Sequence, residues 1–310
     1  MKILAILLAA TIAGILPTPS RADDQSGLFD RTNIAAWCIV PYDAKERGPE
    51  ERALMLKELG LTKLAYDWRS QHIPTFDAEV AAMKQNGIEI TAWWYPARMP
   101  KALEVIKRHD IHPQLWVCGL GGKNAFTSTG QQRVEDEAAR IRPIAQEAAA
   151  LGCKVGLYNH REPWFEDQDN QIALIQRLRR DALTNVGIVF NFHHWRGALD
   201  KFPALVRRIQ PYLLAVNLNG MGSATTQYPN VRFVGTDASE RAMMRVIEQS
   251  GWHGTVGIIN ERDKLDAAEG LARNLAGIKW IRKELRQPGS GGPQPTETTT
   301  IAPPPASRGQ

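Results

Sequence analysis

The chain has 310 residues, 38 of them basic and 33 acidic for a formal charge of +5, and 43% are hydrophobic, which is enough apolar material for a sizeable core. Acidic and basic residues are interspersed rather than gathered into a stripe, which argues against a nucleic-acid surface. The three cysteines, Cys38, Cys118 and Cys153, each lie within or beside an apolar run and read as buried thiols, not as a disulfide framework.

The first residues read as an address. Lys2 precedes an apolar run over 3–16 that ends in Pro17 and Pro19, and Ser20-Arg21-Ala22 has the character of a cleavage site. The run is shorter than the ~20 apolar residues of a spanning helix. The expectation is a signal peptide over 1–22 and a mature chain starting near Asp23, periplasmic or secreted, with no membrane contact after cleavage. Without Lys2 and Arg21, 36 basic residues stand against 33 acidic ones, a charge of +3.

Apolar, β-branched-rich runs follow at 34–40, 63–67, 89–95, 114–118, 154–160, 186–193, 213–219 and 255–260. Helical patterns alternate with them at 50–59, 76–86, 100–109, 131–151, 171–182, 202–209, 241–250 and 267–285. The strand runs are continuously apolar, as expected when both faces of a parallel sheet are covered by helices. Gly60, Gly87, Gly152 and Gly251 stand where left-handed helix stops are needed. Eight such units predict one (β/α)8 TIM barrel over 23–286. A doubly wound open sheet is the alternative, but no GxGxxG turn follows the first strand. Residues 287–310 are mostly Pro, Gly, Ser and Thr and predict a disordered tail.

In such a barrel the chemistry sits on the loops after the strands. His160 ends the fifth strand and His193-His194 the sixth, so three imidazoles could converge at the mouth as acid/base groups or metal ligands. Trp37, Trp68, Trp94, Tyr95, Trp164 and Trp195 also gather near strand ends, and rings there can stack the C–H faces of a sugar or simply fill the barrel top. Neutral amides join them, Asn159, Asn191, Asn217, Asn219 and Asn260, together with Asp67 and Arg69. That mixture suits a polyhydroxylated neutral ligand, although buried asparagine can equally tie loops to backbone. Asp43 and Asp67 are strand-end carboxylates, each readable as a base or as an ion-pair partner.

Several segments carry a family resemblance: Ala65-Tyr66-Asp67-Trp68, His72-Ile73-Pro74-Thr75, Asn86 to Ala92, Lys154 to His160, Val186 to His194 and Val216-Asn217-Leu218-Asn219. With them the chain resembles the xylose-isomerase-like TIM-barrel superfamily of sugar isomerases and epimerases, over nearly the whole mature chain. The resemblance implies a divalent metal held by Glu after strand five, Asp and His after strand six, His after strand seven and Glu after strand eight. Here those positions hold Tyr158, Asn191, Asn217 and Asn260 or Ile259, and only His194 matches. The usual metal site is therefore expected to be lost, leaving His160, His193 and His194 as the candidates for a rebuilt one.

The reading from sequence is an exported isomerase or epimerase acting on a small-molecule sugar or keto-sugar by proton transfer next to a carbonyl. His160, His193 and His194 are its acid/base candidates. Trp37, Asp67, Arg69, Trp94, Asn159, Asn191, Asn217 and Asn219 are its substrate-binding candidates. A keto-glycoside lyase of the same fold and a non-catalytic sugar-binding barrel are the alternatives, and the metal set argues against a DNA-repair nuclease.

Overall fold

The computed structural model describes residues 27–160, 162–195, 197–221 and 231–298. The expected signal segment lies outside them. Eight parallel strands close into a barrel in sequence order: β1 Ile34–Trp37, β2 Lys63–Tyr66, β3 Glu89–Trp94, β4 Gln114–Val117, β5 Val155–Tyr158, β6 Val186–Asn191, β7 Leu213–Leu218 and β8 Thr255–Ile259. β8 pairs with β1, setting Ile259 against Trp37, so no strand is left as an edge. The closed ring rules out the open-sheet alternative.

Helices connect the strands on the outside: α1 Pro49–Glu58, α2 Phe76–Gln85, α3 Pro100–Arg108, α4 Gly130–Ala150, the one-turn α5 Pro163–Glu166, α6 Gln168–Arg180, α7 Phe202–Ile209, α8 Ala238–Gln249 and α9 Ala267–Arg286. Two start earlier than their apolar period suggests, because caps lie upstream. The Asp167 carboxylate accepts from the Asp169 N–H, and Asp237 accepts from the Ser239 N–H while Glu240 returns a bond to the Asp237 N–H. Gly60, Gly87, Gly152 and Gly251 all have φ between 67° and 74°, the left-handed stop expected of them.

The strands are shorter than their apolar runs. β1 stops at Trp37 because Cys38 turns into the left-handed region at φ 59°. Phe192–His194 leave β6 as a tight 3-10 turn. The apolar character continues past the hydrogen-bonded ladder because these residues still line the barrel mouth, and burial, not pairing, is what periodicity reports. Cys38, Cys118 and Cys153 are buried and form no disulfide. Among the described residues no helix is long and apolar enough to cross a membrane.

The C-terminal segment departs from expectation. Residues 287–298 do not hang free but fold back along α9 and toward the barrel mouth. The Glu284 carboxylate accepts from the Gly289 and Gly291 N–H groups, the Trp280 indole donates to the Gly292 carbonyl, and the Gln294 amide donates to the Gly235 carbonyl. Composition missed this because the anchors are backbone groups and a few polar side chains, and such contacts need no apolar run. Residues 299–310 lie outside the described ones.

Candidate active site

The floor of the mouth is aromatic. Trp37 from β1 packs against Trp116 of β4 at 4.8 Å between ring centroids, against Tyr158 of β5 at 5.8 Å and against Trp94 of β3 at 5.9 Å. Gly156 makes room for this layer, since a Cβ there would lie 2.4 Å from Val189 and 2.8 Å from Trp116. The Trp37 indole N–H donates to the Tyr158 hydroxyl at 2.9 Å. Burial, helped by the neighbouring Cys38 thiol, raises the Tyr158 pKa well above that of a free phenol. It therefore stays a phenol at any physiological pH, and its own O–H remains available to donate.

The expected histidine cluster forms, with a change of partner. His160 and His194 lie 4.4 Å apart ring to ring, and Tyr158 sits 6.0 Å and 6.3 Å from them. His193 is 4.8 Å from His194 but lines a different cleft, on the β7–β8 side with Glu261 and Arg262. In its place Glu166, from α5, brings a carboxylate oxygen 3.8 Å from His194 Nδ1. Ligand-capable atoms of His160, Glu166 and His194 all lie within 4.8 Å of one another. Sequence reading missed Glu166 because it falls between the Trp164-Phe165 pair and the Asp167 cap, where an acidic residue reads as ordinary helix-start chemistry.

Three substrate-binding candidates form a chain of hydrogen bonds. Asn159, Asn191 and Asn217 are fully buried and bond to one another across β5, β6 and β7. Asn217 Nδ2 donates to Asn191 Oδ1 at 2.7 Å, Asn191 Nδ2 donates to Asn159 Oδ1 at 2.7 Å, and the Asn191 N–H donates to the same oxygen at 2.8 Å. Asn217 Oδ1 fits the space left by Gly257, where a Cβ would lie 2.0 Å away. Amides placed side by side on parallel strands thus complement one another, and of this trio Asn217 Oδ1 is left buried without a hydrogen-bond partner among the described residues. Asn219 is also buried, and its amide donates to the Gly220 carbonyl. Trp37 and Trp94 are more than nine-tenths buried, so they form the floor and do not offer a broad stacking face. Of the other rings, Trp68 ties its N–H to the Trp94 carbonyl and Trp164 lies under the Arg133 guanidinium at 5.1 Å.

The metal position that the resemblance implies holds a different kind of donor here. Asn260 turns outward to accept from Asn274 of α9, so the inward eighth position is Ile259. The set is then a phenol that stays protonated, two amides bonded to each other, an alkyl chain and the neutral donor His194. No negative charge remains among them to replace the water of a hard divalent cation, so these residues do not fit the ion.

Asp43 serves as an ion-pair partner: it accepts from Arg47 at 2.9 Å and from the Ala267 N–H. Asp67 is different. Its Oδ1 accepts from the Val40 N–H at 3.1 Å, while Oδ2 is buried with no hydrogen-bond partner among the described residues. Arg69 does not reach over it but donates to the Asp67 and Trp68 carbonyls. Burial pushes the Asp67 carboxyl from 3.8 up to about 6, partly offset by Arg69 and the Val40 N–H. A raised acid favours the fold below its unfolded pKa and loses that advantage as pH rises through the folded value. Relative to Asp67→Asn, the native protein should therefore lose about 2 kcal/mol of stability between pH 4 and pH 7. Glu240, raised by burial to about 7, adds a drift of the same sign to both proteins, so the difference isolates Asp67. Urea melts at the two pH values with parallel slopes for both proteins would show that Asp67 does not titrate there.

No family model matches the chain, and no curated protein matches it in sequence. Solved structures share its fold, that of the xylose-isomerase-like TIM barrels. The 3-keto-D-glucoside 4-epimerase YcjR from E. coli superposes with a TM-score of 0.54 at 15% identity, over 81% of this chain and 99% of that one. The IolI protein with a binding zinc atom gives 0.60 at 12%, over 81% and 96%. D-Psicose 3-epimerase with D-tagatose from Clostridium cellulolyticum H10 gives 0.56 at 13%, over 81% and 98%. At these identities the likeness is one of architecture.

Proposed function

We propose that this chain is an exported enzyme that moves a proton at a carbon next to the carbonyl of a sugar or keto-sugar. The observation that carries the reading is the close His160–His194 pair at the barrel mouth, beside the Tyr158 phenol. One imidazole removes the proton. The C–H electrons become the C=C bond of an enediolate, and the former carbonyl oxygen takes the negative charge. The Tyr158 O–H, polarised by the Trp37 N–H bonded to its oxygen, donates to that oxygen where the family relies on a cation. In an isomerisation the conjugate imidazolium returns the proton to the former carbonyl carbon, while the hydroxyl on the deprotonated carbon passes its proton to the former carbonyl oxygen and becomes the new carbonyl. In an epimerisation a water on the opposite face protonates the deprotonated carbon as the original carbonyl re-forms, and the hydroxide left behind takes the imidazolium proton. A leaving group on the next carbon would turn the same carbanion toward elimination. The activities named for the structural relatives, a 3-keto-glucoside epimerase and a ketose 3-epimerase, support this substrate class.

The test is solvent deuterium incorporation into ketoses and 3-keto-glucosides by the purified protein, with a chelator present. Exchange is expected, slowed ~10²–10³-fold by Tyr158→Phe as for the loss of one oxyanion donor. A sugar that binds without exchange would leave the non-catalytic barrel as the correct account. The close approach of His160, Glu166 and His194 favours a second reading, a zinc ion on those three residues. Chelator-sensitive exchange, with stoichiometric zinc that is lost in Glu166→Gln, would establish it. Export is checked by N-terminal sequencing of the mature protein, expected to begin near Asp23.

A further inference from the structure

Beside the mouth, on the β7–β8 side, lies a cleft of about 610 Å³ whose lining includes His193, Glu261, Lys264, Arg262, Arg273 and Glu297. One wall is built around a carboxylate. Glu297 Oε1 accepts from the Phe233 backbone N–H at 2.9 Å, with Arg232 Nε 3.7 Å away, and Oε2 accepts from Arg262 at 2.7 Å. Arg273 donates to the Glu297 carbonyl at 3.1 Å. The Phe233 ring lies against both cations, with the Arg262 and Arg273 guanidinium carbons 4.2 Å and 5.0 Å from its centroid. Stacking holds the guanidinium planes and spares a ligand the entropy of ordering them. A backbone N–H and a fixed guanidinium converging on two oxygens are what recognition of a carboxylate requires.

The carboxylate that fills this seat comes from the C-terminal segment, the part of the chain with the least to bury. The remainder of the same cleft reaches His193, next to His194 of the proton-transfer pair. We propose that the cleft is a carboxylate-binding subsite, that Glu297 is its internal stand-in, and that the external ligand is a sugar acid. Its carboxylate takes the place of Glu297 while its ring extends toward the histidines. Naming the ligand a sugar rests on the function proposed above, but the anion seat does not. A tethered competitor acts at an effective concentration on the order of millimolar, so an outside acid binds weakly until Glu297 is displaced.

Binding without turnover separates the two ideas. Calorimetry on the full chain would use D-glucuronate, D-glucose, D-glucose 6-phosphate and acetate as probes, against the native protein, Glu297→Gln and Glu297→Gln/Arg262→Ala. Glu297→Gln keeps the shape and the acceptor for the Phe233 N–H, and thermal melts verify that it remains folded. D-Glucuronate is expected to bind at least tenfold more tightly to Glu297→Gln than to the native protein, D-glucose equally to both, and the double variant to lose the gain. Equal binding of glucuronate to native protein and Glu297→Gln, or a gain that survives Arg262→Ala, would overturn the anion seat. A gain for glucose 6-phosphate but not for glucuronate, or one as large for acetate as for glucuronate, would overturn the sugar-acid assignment.

Discussion

Replacing His160 with alanine is expected to lower turnover ~10²–10⁴-fold, the usual contribution of a positioned acid/base group, with KM little changed. The ring is half-buried at the mouth and packs against His194 at a tilt, so its loss opens space to solvent and leaves no sealed void in the core. The melting temperature should stay within a few degrees of native. His194→Ala should behave alike, because the two rings act as a unit and their effects should not add. His193→Ala should cost less than tenfold in kcat, since that ring faces the neighbouring cleft. A purely structural role predicts a different pattern, in which melting temperature falls while turnover per folded molecule holds. The shape of the pH–rate profile gives a further check. An imidazole limb present in native protein and absent from His160→Gln identifies the titrating group, and full turnover in both His160 variants would remove the histidine mechanism.

Those histidines were legible in the sequence because position along a barrel strand is nearly position in space. Once eight apolar runs alternate with eight helical ones, the last residues of adjacent strands must meet, and His160 and His194 do. What periodicity could not say is which way a residue faces after the ladder ends. The turn at Phe192–His194 sends His193 and His194 into different clefts, and a single φ at Cys38 ends β1 where its apolar character continues. The pairing of the amides was hidden for a related reason. Asn159, Asn191 and Asn217 are polar residues at strand ends, but Asn217 donates to Asn191 and Asn191 to Asn159, and that pairing depends on strand register. Glu166 and Glu297 carried no sequence signal at all, since each acts through a loop or segment whose path is set by distant backbone groups.

Asn191→Asp, which places a carboxylate where the resemblance implies a metal ligand, is expected to destabilise the protein in a pH-dependent way. Asn191 donates to Asn159 Oδ1 and accepts from Asn217. A carboxylate keeps the second bond but turns an oxygen toward the Asn159 oxygen. Asn159 cannot flip to answer it, because its oxygen also holds the Asn191 N–H and its Nδ2 donates to the Asn191 carbonyl at 3.3 Å. Protonated, the new acid donates where the amide did, so near pH 4 the variant should match native protein. The folded state thus raises the pKa of this acid, and stability is lost as pH rises above the ordinary carboxyl value near ~4. While the buried acid stays protonated, the loss relative to native grows by about 1.4 kcal/mol per pH unit. That is about 4 kcal/mol at pH 7, in the range found when a buried charge lacks its partner. Asn191→Ala should instead lose about 1–3 kcal/mol for each stranded polar group, at all pH values alike. Manganese or magnesium should not restore Asn191→Asp at pH 8, since Tyr158, Asn217 and Ile259 supply no second charge. Recovery by either ion would show that the residues of this barrel fit a cation after all.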